Sequence, residues 1–253
     1  MRSGAAHRDP GLRGNVLGKM FLIFLFTAVL AAGCGRKSPP PPPVQAPLLK
    51  LRELLAEGDY KEVLRLAREI SSLVPASASS EEALYLQAYV LVYGQSDFHG
   101  AKLPLKQILD FYQGGFYAAN AQKLLADCEY WQGHYEKAGK EYKKLLTSYG
   151  DKGFAPYAQL QSGNCLLLDD KVGDAINAYR DLIEKYPTDQ AATSAQLMIA
   201  NSFLKLLNFK QAKIELRKLM ALTQNRDIQQ SAQKSLRQIE EEEPFNKGVG
   251  VSE

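Results

Sequence analysis

From about residue 48 onward, apolar side chains recur three and four positions apart, in blocks separated by short polar breaks. The clearest block is Tyr157–Pro187, "YAQLQSGNCLLLDDKVGDAINAYRDLIEKYP". Leu166, Ala175, Tyr179 and Leu182 fall at helical spacing, Asp169-Asp170 interrupts the pattern, and Tyr186-Pro187 ends it. That predicts two helices joined by a tight turn, with the second closed by the residue before proline. Gly163 and Ala175 are small residues 12 apart, placed to let two backbones approach where the helices cross. Ala126/Ala138 and Ala200/Ala212 reproduce the pair at the same interval.

The blocks are copies of one another. Ala-Gln occurs at Ala121, Ala158, Ala195 and Ala232, always 37 residues apart. Ala101, Ala138, Ala175 and Ala212 share that interval, as do Ile108, Leu145, Leu182 and Leu219, and then Tyr112, Tyr149 and Tyr186. A fixed period of this length marks a repeat array in which each unit buries its apolar face against its neighbours. The expected fold is all-α: about five helix-turn-helix repeats over 48–242, a closing helix over Ile228–Glu242, and a disordered tail over 243–253. The first unit is Leu48–Pro75, with Tyr60 and Val63 at turn positions. The second, Glu81–Tyr112, is irregular: at constant period Tyr89 replaces the small crossing residue, and Pro104 falls inside the second helix. Proline is expected near that helix's first turn, or else kinks it. The run "SGNCLLLDDKVGDAINAYRDLIEKYP" resembles the tetratricopeptide repeat, with glycine, turn, alanine, aromatic and terminal proline in register. That resemblance implies an α-solenoid whose first helices line a concave groove.

The N-terminal part is of another kind. Arg2, Arg8, Arg13 and Lys19 precede "FLIFLFTAVLAA", Phe21–Ala32. This run falls short of the roughly 20 apolar residues that a spanning helix needs. A basic start, a short apolar middle and a small-residue exit describe an export signal over residues 1–33. "LAAGC" resembles the bacterial lipobox, which implies cleavage before Cys34 and lipidation of its thiol. Gly35, rather than Asp, follows the cysteine, which by the same resemblance implies release to the outer membrane, facing the periplasm. Ser38–Pro47, "SPPPPPVQAP", can form neither helix nor sheet ladder and is expected to extend as polyproline. Residues 34–47 then form a tether of roughly 40 Å at full stretch.

Charge follows from that division. The whole chain is +3, but removing the four basic and one acidic side chains of residues 1–33 leaves 27 of each sign. A neutral chain lacks the basic surface that nucleic-acid binding requires. Cys128 and Cys165 are again 37 apart, on the first helices of neighbouring units. Helix axes pack 8–10 Å apart at best, so two small core thiols are expected rather than a disulfide. His99 and His134 fall near turns, where solvation is the expected state. There is no GxSxG, phosphate-binding glycine loop or HExxH, and no enzyme activity, cofactor, metal or small-molecule substrate is expected.

The remaining candidate is the groove. The inward positions are Leu86 and Tyr93, then Leu124, Tyr130 and Trp131, then Tyr157, Leu160, Asn164, Leu167 and Leu168, then Leu197, Met198, Asn201 and Leu204. Tyr130, Trp131, Tyr157, Leu160, Asn164, Leu168, Met198 and Asn201 are the candidate partner-binding residues, with Trp131, Tyr157 and Leu168 at the centre. Aromatics and methionine dominate peptide-binding surfaces, and Asn164 and Asn201 are placed to bond a peptide backbone. Lys123 and Lys205 are the only basic groups available to clamp a terminal carboxylate. Anchor, spacer and five repeats together resemble the BamD-like outer-membrane assembly lipoproteins. That implies a scaffold that binds envelope proteins or peptides. The loop "VPASAS" (Val74–Ser79) and the strict period depart from that family. The CpoB-like proteins of the Tol-Pal system, or an adaptor of a secretion or pilus apparatus, remain alternatives.

Overall fold

The structure, a computed structural model, describes residues 45–247. The expected signal segment, Cys34, the expected tether up to residue 44 and residues 248–253 lie outside the described residues. Among the described residues eleven α-helices follow one another without a strand. They form five pairs: α1 (Gln45–Glu57) with α2 (Tyr60–Leu73), α3 (Ala78–Tyr89) with α4 (Phe98–Phe111), and α5 (Ala118–Trp131) with α6 (Tyr135–Tyr149). The fourth and fifth pairs are α7 (Ala155–Leu168) with α8 (Val172–Lys185), and α9 (Gln190–Lys205) with α10 (Phe209–Leu222). The closing helix is α11 (Arg226–Lys247). Each helix packs on the next, and first helices also meet across repeats, α1 on α3 and α7 on α9. No helix of the described residues is long and apolar enough to cross a membrane.

Both ends of the array run further than expected. α1 begins at Gln45, three residues before Leu48, and takes Pro47 into its first turn. There the N–H that proline lacks has no intrahelical partner to lose. α11 continues through Pro244 to Lys247, five residues beyond Glu242.

The turn inside each repeat is one device used five times. Gly58, Ser96, Gly133, Asp170 and Leu207 all adopt the left-handed region, at φ of +78°, +56°, +77°, +59° and +55°. After it, the next N–H reaches back over the first helix: Asp59 to Leu54 O at 3.0 Å, and His134 to Glu129 O, Lys171 to Leu166 O and Asn208 to Phe203 O at 2.9 Å. Asp59, Asp97 and Asn208 then cap the second helix through their side chains. Leucine is the costly occupant, because a Cβ in this region crowds the backbone by about 1–2 kcal/mol. Leu207 is 69% exposed and has little packing to lose. Leu207→Gly should therefore stabilise the chain by about 1 kcal/mol, read as a higher midpoint in urea; an unchanged or lower midpoint would refute this account of the turn.

The repeated side chains each have a physical job. Ala101, Ala138, Ala175 and Ala212 are fully buried where paired helices cross. Gln122 donates to the carbonyl of Glu141 at 3.1 Å and to its carboxylate at 2.8 Å, and Gln196 makes the same pair of bonds to Glu215. In the third and fifth repeats the Ala-Gln register thus ties first helix to second. The tyrosines that end second helices reach back to the previous linker: Tyr112 Oη accepts from Ala76 N at 3.0 Å, and Tyr149 Oη donates to Gln113 O at 3.4 Å. Cys128 and Cys165 are free and buried, and burial pushes both thiols up to about 12.

For the second repeat one expectation is corrected, and that for Pro104 loses its first-turn alternative. Its first helix ends in a π-helical turn, Val90–Gly94, which holds one extra residue. The register upstream therefore shifts by one, and fully buried Ala88, not Tyr89, occupies the small crossing position of Ala126. Pro104 is the seventh residue of α4, beyond the first turn, and is buried. Residue i−4, whose carbonyl the proline ring crowds, is Gly100.

Candidate functional site on the first-helix face

Tyr85, Tyr89 and Tyr93 follow one another at intervals of four on α3 and its π-helical turn. Side chains so spaced stack along one helix face. Tyr85 stacks on Tyr117, the residue before α5, with ring centroids 4.7 Å apart. Tyr89 and Tyr93 are also 4.7 Å apart, and Tyr93 meets Trp131 edge-on at 6.2 Å. Trp131 in turn lies 5.4 Å from Phe98, and Phe116 stands 5.0 Å from Tyr117. The result is an aromatic row across repeats two and three, with Tyr93 44% and Phe116 82% exposed.

Beside the row runs a second stripe on α5: Lys123, Asp127 and Trp131. Asp127 is only 2% exposed, yet both carboxylate oxygens are satisfied. Oδ1 accepts from Tyr142 at 2.6 Å and Tyr157 at 2.7 Å, and Oδ2 accepts from Lys123 Nζ at 2.6 Å. The ammonium also lies 4.3 Å from the Tyr157 ring centroid. Burial first, and then the neighbouring carboxylate, push the Tyr142 and Tyr157 phenols well above their ordinary value, so both remain donors at neutral pH. One repeat later the arrangement recurs without charge: Tyr179 donates to Asn164 Oδ1 at 2.7 Å, and Leu160 stands where Lys123 stood. In the fifth repeat Leu216 takes the tyrosine position, so Asn201 receives no phenol.

The expected groove residues divide on inspection. Trp131 is half-buried against Tyr93 and Phe98, at the edge of the core formed by the first two repeats and α5. Tyr130 packs on Tyr135 at 5.7 Å, and the Tyr157 hydroxyl is held by Asp127. Leu160 and Met198 are half-buried against the core around α8 and α9. Asn164 gives its carbonyl oxygen to Tyr179 and its amide to Gln161 at 2.9 Å, so it serves the fold before any peptide. Leu168 is 43% exposed, and Asn201 is half-buried. Lys205 pairs with Asp170 at 2.5 Å and bonds Leu167 O, so both groove lysines are neutralised. His134 is exposed, its Nδ1 2.8 Å from Glu129. Among the described residues no group of three or more His, Cys, Asp or Glu could hold a metal.

Sequence reasoning passed over Tyr85, Tyr89, Tyr117 and Asp127. The i, i+4 tyrosine spacing on one helix was the available signal for the first two.

Comparisons with known proteins agree with this architecture. A family model described as tetratricopeptide repeat matches residues 157–189. No curated protein matches the chain in sequence. Among solved structures, YrrB, described as a TPR protein with an unusual peptide-binding site, is 16% identical with a TM-score of 0.55, covering 73% of this chain and 88% of that one. MamA of Desulfovibrio magneticus RS-1 is 16% identical with a TM-score of 0.57, covering 71% and 94%. PilF of Pseudomonas aeruginosa is 15% identical with a TM-score of 0.51, covering 78% and 91%. At such identities the likeness concerns the fold. Repeating helix pairs, recurring left-handed turns, the matched repeat and these neighbours converge: the chain folds as a tetratricopeptide-repeat α-solenoid of five helix pairs and a closing helix.

Proposed function

We propose that the chain is a membrane-anchored, periplasm-facing scaffold that binds a protein partner on its first-helix face. We place it as a BamD-like component of outer-membrane protein assembly, with Cys34 as the lipid anchor and no catalytic role. The observation that carries the binding role is the aromatic row with its exposed Tyr93, beside Lys123, which is already paired with Asp127. Large, rigid aromatic side chains on an open surface are the groups that dominate protein-binding energetics. The peptide-binding site in the description of YrrB, a protein of the same fold, supports the same role. The anchor and the outer-membrane location rest on the "LAAGC" motif and Gly35.

The test is a photo-reactive residue at Tyr93 in intact cells. Capture of a barrel-assembly protein is the expected result. Capture of a Tol-Pal or secretion-apparatus component instead transfers the chain to one of the alternative roles, and no capture at all removes the face as a partner site. In the same cells, labelled fatty acid should enter the wild-type chain and not Cys34→Ser; label on the serine variant would end the lipoprotein reading.

A further inference from the structure

The aromatic row has a chemical character that selects among partners. The hydroxyls of Tyr85, Tyr89, Tyr93 and Tyr117 make no hydrogen bond to another described residue, those of Tyr85, Tyr89 and Tyr117 are not sealed from solvent, and Tyr93 is 44% exposed. Burial raises all four phenols, Tyr85 and Tyr117 to about 12, so each keeps its proton at neutral pH. The row therefore offers aromatic rings together with four hydroxyl donors that no described residue holds.

The charges around it are already matched. Lys123 is bound to Asp127, Arg52 makes two bonds to Glu82 at 2.6 and 2.8 Å, and Glu81 accepts from the amides of Phe116 and Tyr117 at 3.2 and 2.6 Å. A strongly acidic or basic ligand finds no free counter-charge here. The ligand that fits is neutral, apolar along its sides and rich in backbone acceptors.

Three recurring forms of bound peptide can be compared on that basis. Strand addition needs a sheet edge, and the described residues form none. A helical ligand would lay an apolar face on the rings but has used nearly all its carbonyls internally, leaving four phenols without acceptors. A proline-rich segment differs in both respects. It has no internal hydrogen bonds, its carbonyls stand free at about 3.1 Å per residue, and its pyrrolidine rings pack on aromatic faces. It is also pre-extended, so binding orders little that was not already ordered.

We infer that the row formed by Tyr85, Tyr89, Tyr93, Tyr117 and Trp131 binds a proline-rich segment of the partner protein in polyproline conformation. This rests on the scaffold role proposed above and names the ligand class of that same face. The π-helical turn Val90–Gly94 fits the assignment. One extra residue there sets Tyr93 against Trp131, and single π-helical turns are frequent at functional sites.

The chain has a single tryptophan, Trp131, which makes the row its own reporter. Decaproline titrated into the full chain should change Trp131 fluorescence saturably, while a Gly-Ser decapeptide should not. Tyr93→Ala should weaken decaproline binding at least tenfold with little change in melting temperature. Tyr89→Phe, which removes one donor and keeps the ring, should weaken it severalfold.

If decaproline does not bind while the Tyr93 photo-probe still captures a protein, the proline assignment fails and the scaffold role stands. If neither is seen, both fail. Decaproline binding that is indifferent to Tyr93→Ala, in a variant shown by circular dichroism to be folded, places the ligand elsewhere and overturns the proposal.

Discussion

Gly163→Ala should destabilise the chain by about 1–3 kcal/mol, although alanine is ordinarily the better helix former. A Cβ at Gly163 would stand 2.5 Å from Cε1 and 2.8 Å from Cδ1 of Tyr179. The sign depends on whether that ring can move away. Tyr179 is fully buried, and its hydroxyl is held by Asn164 at 2.7 Å, so the ring is fixed at both ends. The clash must be relieved by separating α7 from α8, and buried packing is lost along the whole seam.

Gly139, inside α6, provides the contrast. A Cβ there would meet only Cys165 Cβ at 3.7 Å, an ordinary contact. Gly139→Ala should therefore stabilise by roughly 0.5–1 kcal/mol through helix propensity alone. Urea unfolding of the two variants should move in opposite directions, and a stabilised Gly163→Ala would mean that the α7–α8 crossing is looser than this geometry allows.

Gly163 also shows what a linear reading can reach. Its place 12 residues before Ala175, matched by Ala126/Ala138 and Ala200/Ala212, marks a helix crossing, because only small residues let backbones approach there. A constant period supplied the rest: five pairs, their turns and the free, buried cysteines. The same constancy misled at the second repeat. One residue accommodated in a π-helical turn leaves no mark on composition, and only the 38-residue step from Tyr60 to Phe98 hinted at it.

The candidate site was less readable, for a related reason. Facing residues could be assigned from helical period, but whether a polar group is open or already bound depends on a partner 15 positions away. Asn164 reads as a peptide ligand until Tyr179 is seen to use it. The tyrosines that matter most for the row, Tyr85 and Tyr89, lie upstream of the inserted residue, where the constant register put Tyr89 at the helix crossing and left Tyr85 out of the groove.

The same register makes the strongest test of the buried network. Asp127→Ala should cost about 3–5 kcal/mol, because it leaves Lys123 without its counter-charge and the phenols of buried Tyr142 and half-buried Tyr157 without their acceptor. The next repeat shows how the position can be filled without charge: Leu160, Asn164 and Tyr179 stand where Lys123, Asp127 and Tyr142 stand here. An asparagine carbonyl has two lone pairs and can accept from both Tyr142 and Tyr157. Asp127→Asn alone should then cost less than the alanine variant, since only the bond to Lys123 is lost and that side chain, 27% exposed, can turn to solvent. The double variant Lys123→Leu with Asp127→Asn should recover most of the loss, because it removes the unpaired charge and keeps the acceptor. Replacing a buried ion pair in this way is often neutral or better. Chemical denaturation of the three variants decides the matter. If the double variant is no more stable than Asp127→Ala, the charge itself holds repeats three and four together, and the neutral arrangement one repeat further on is not its equivalent.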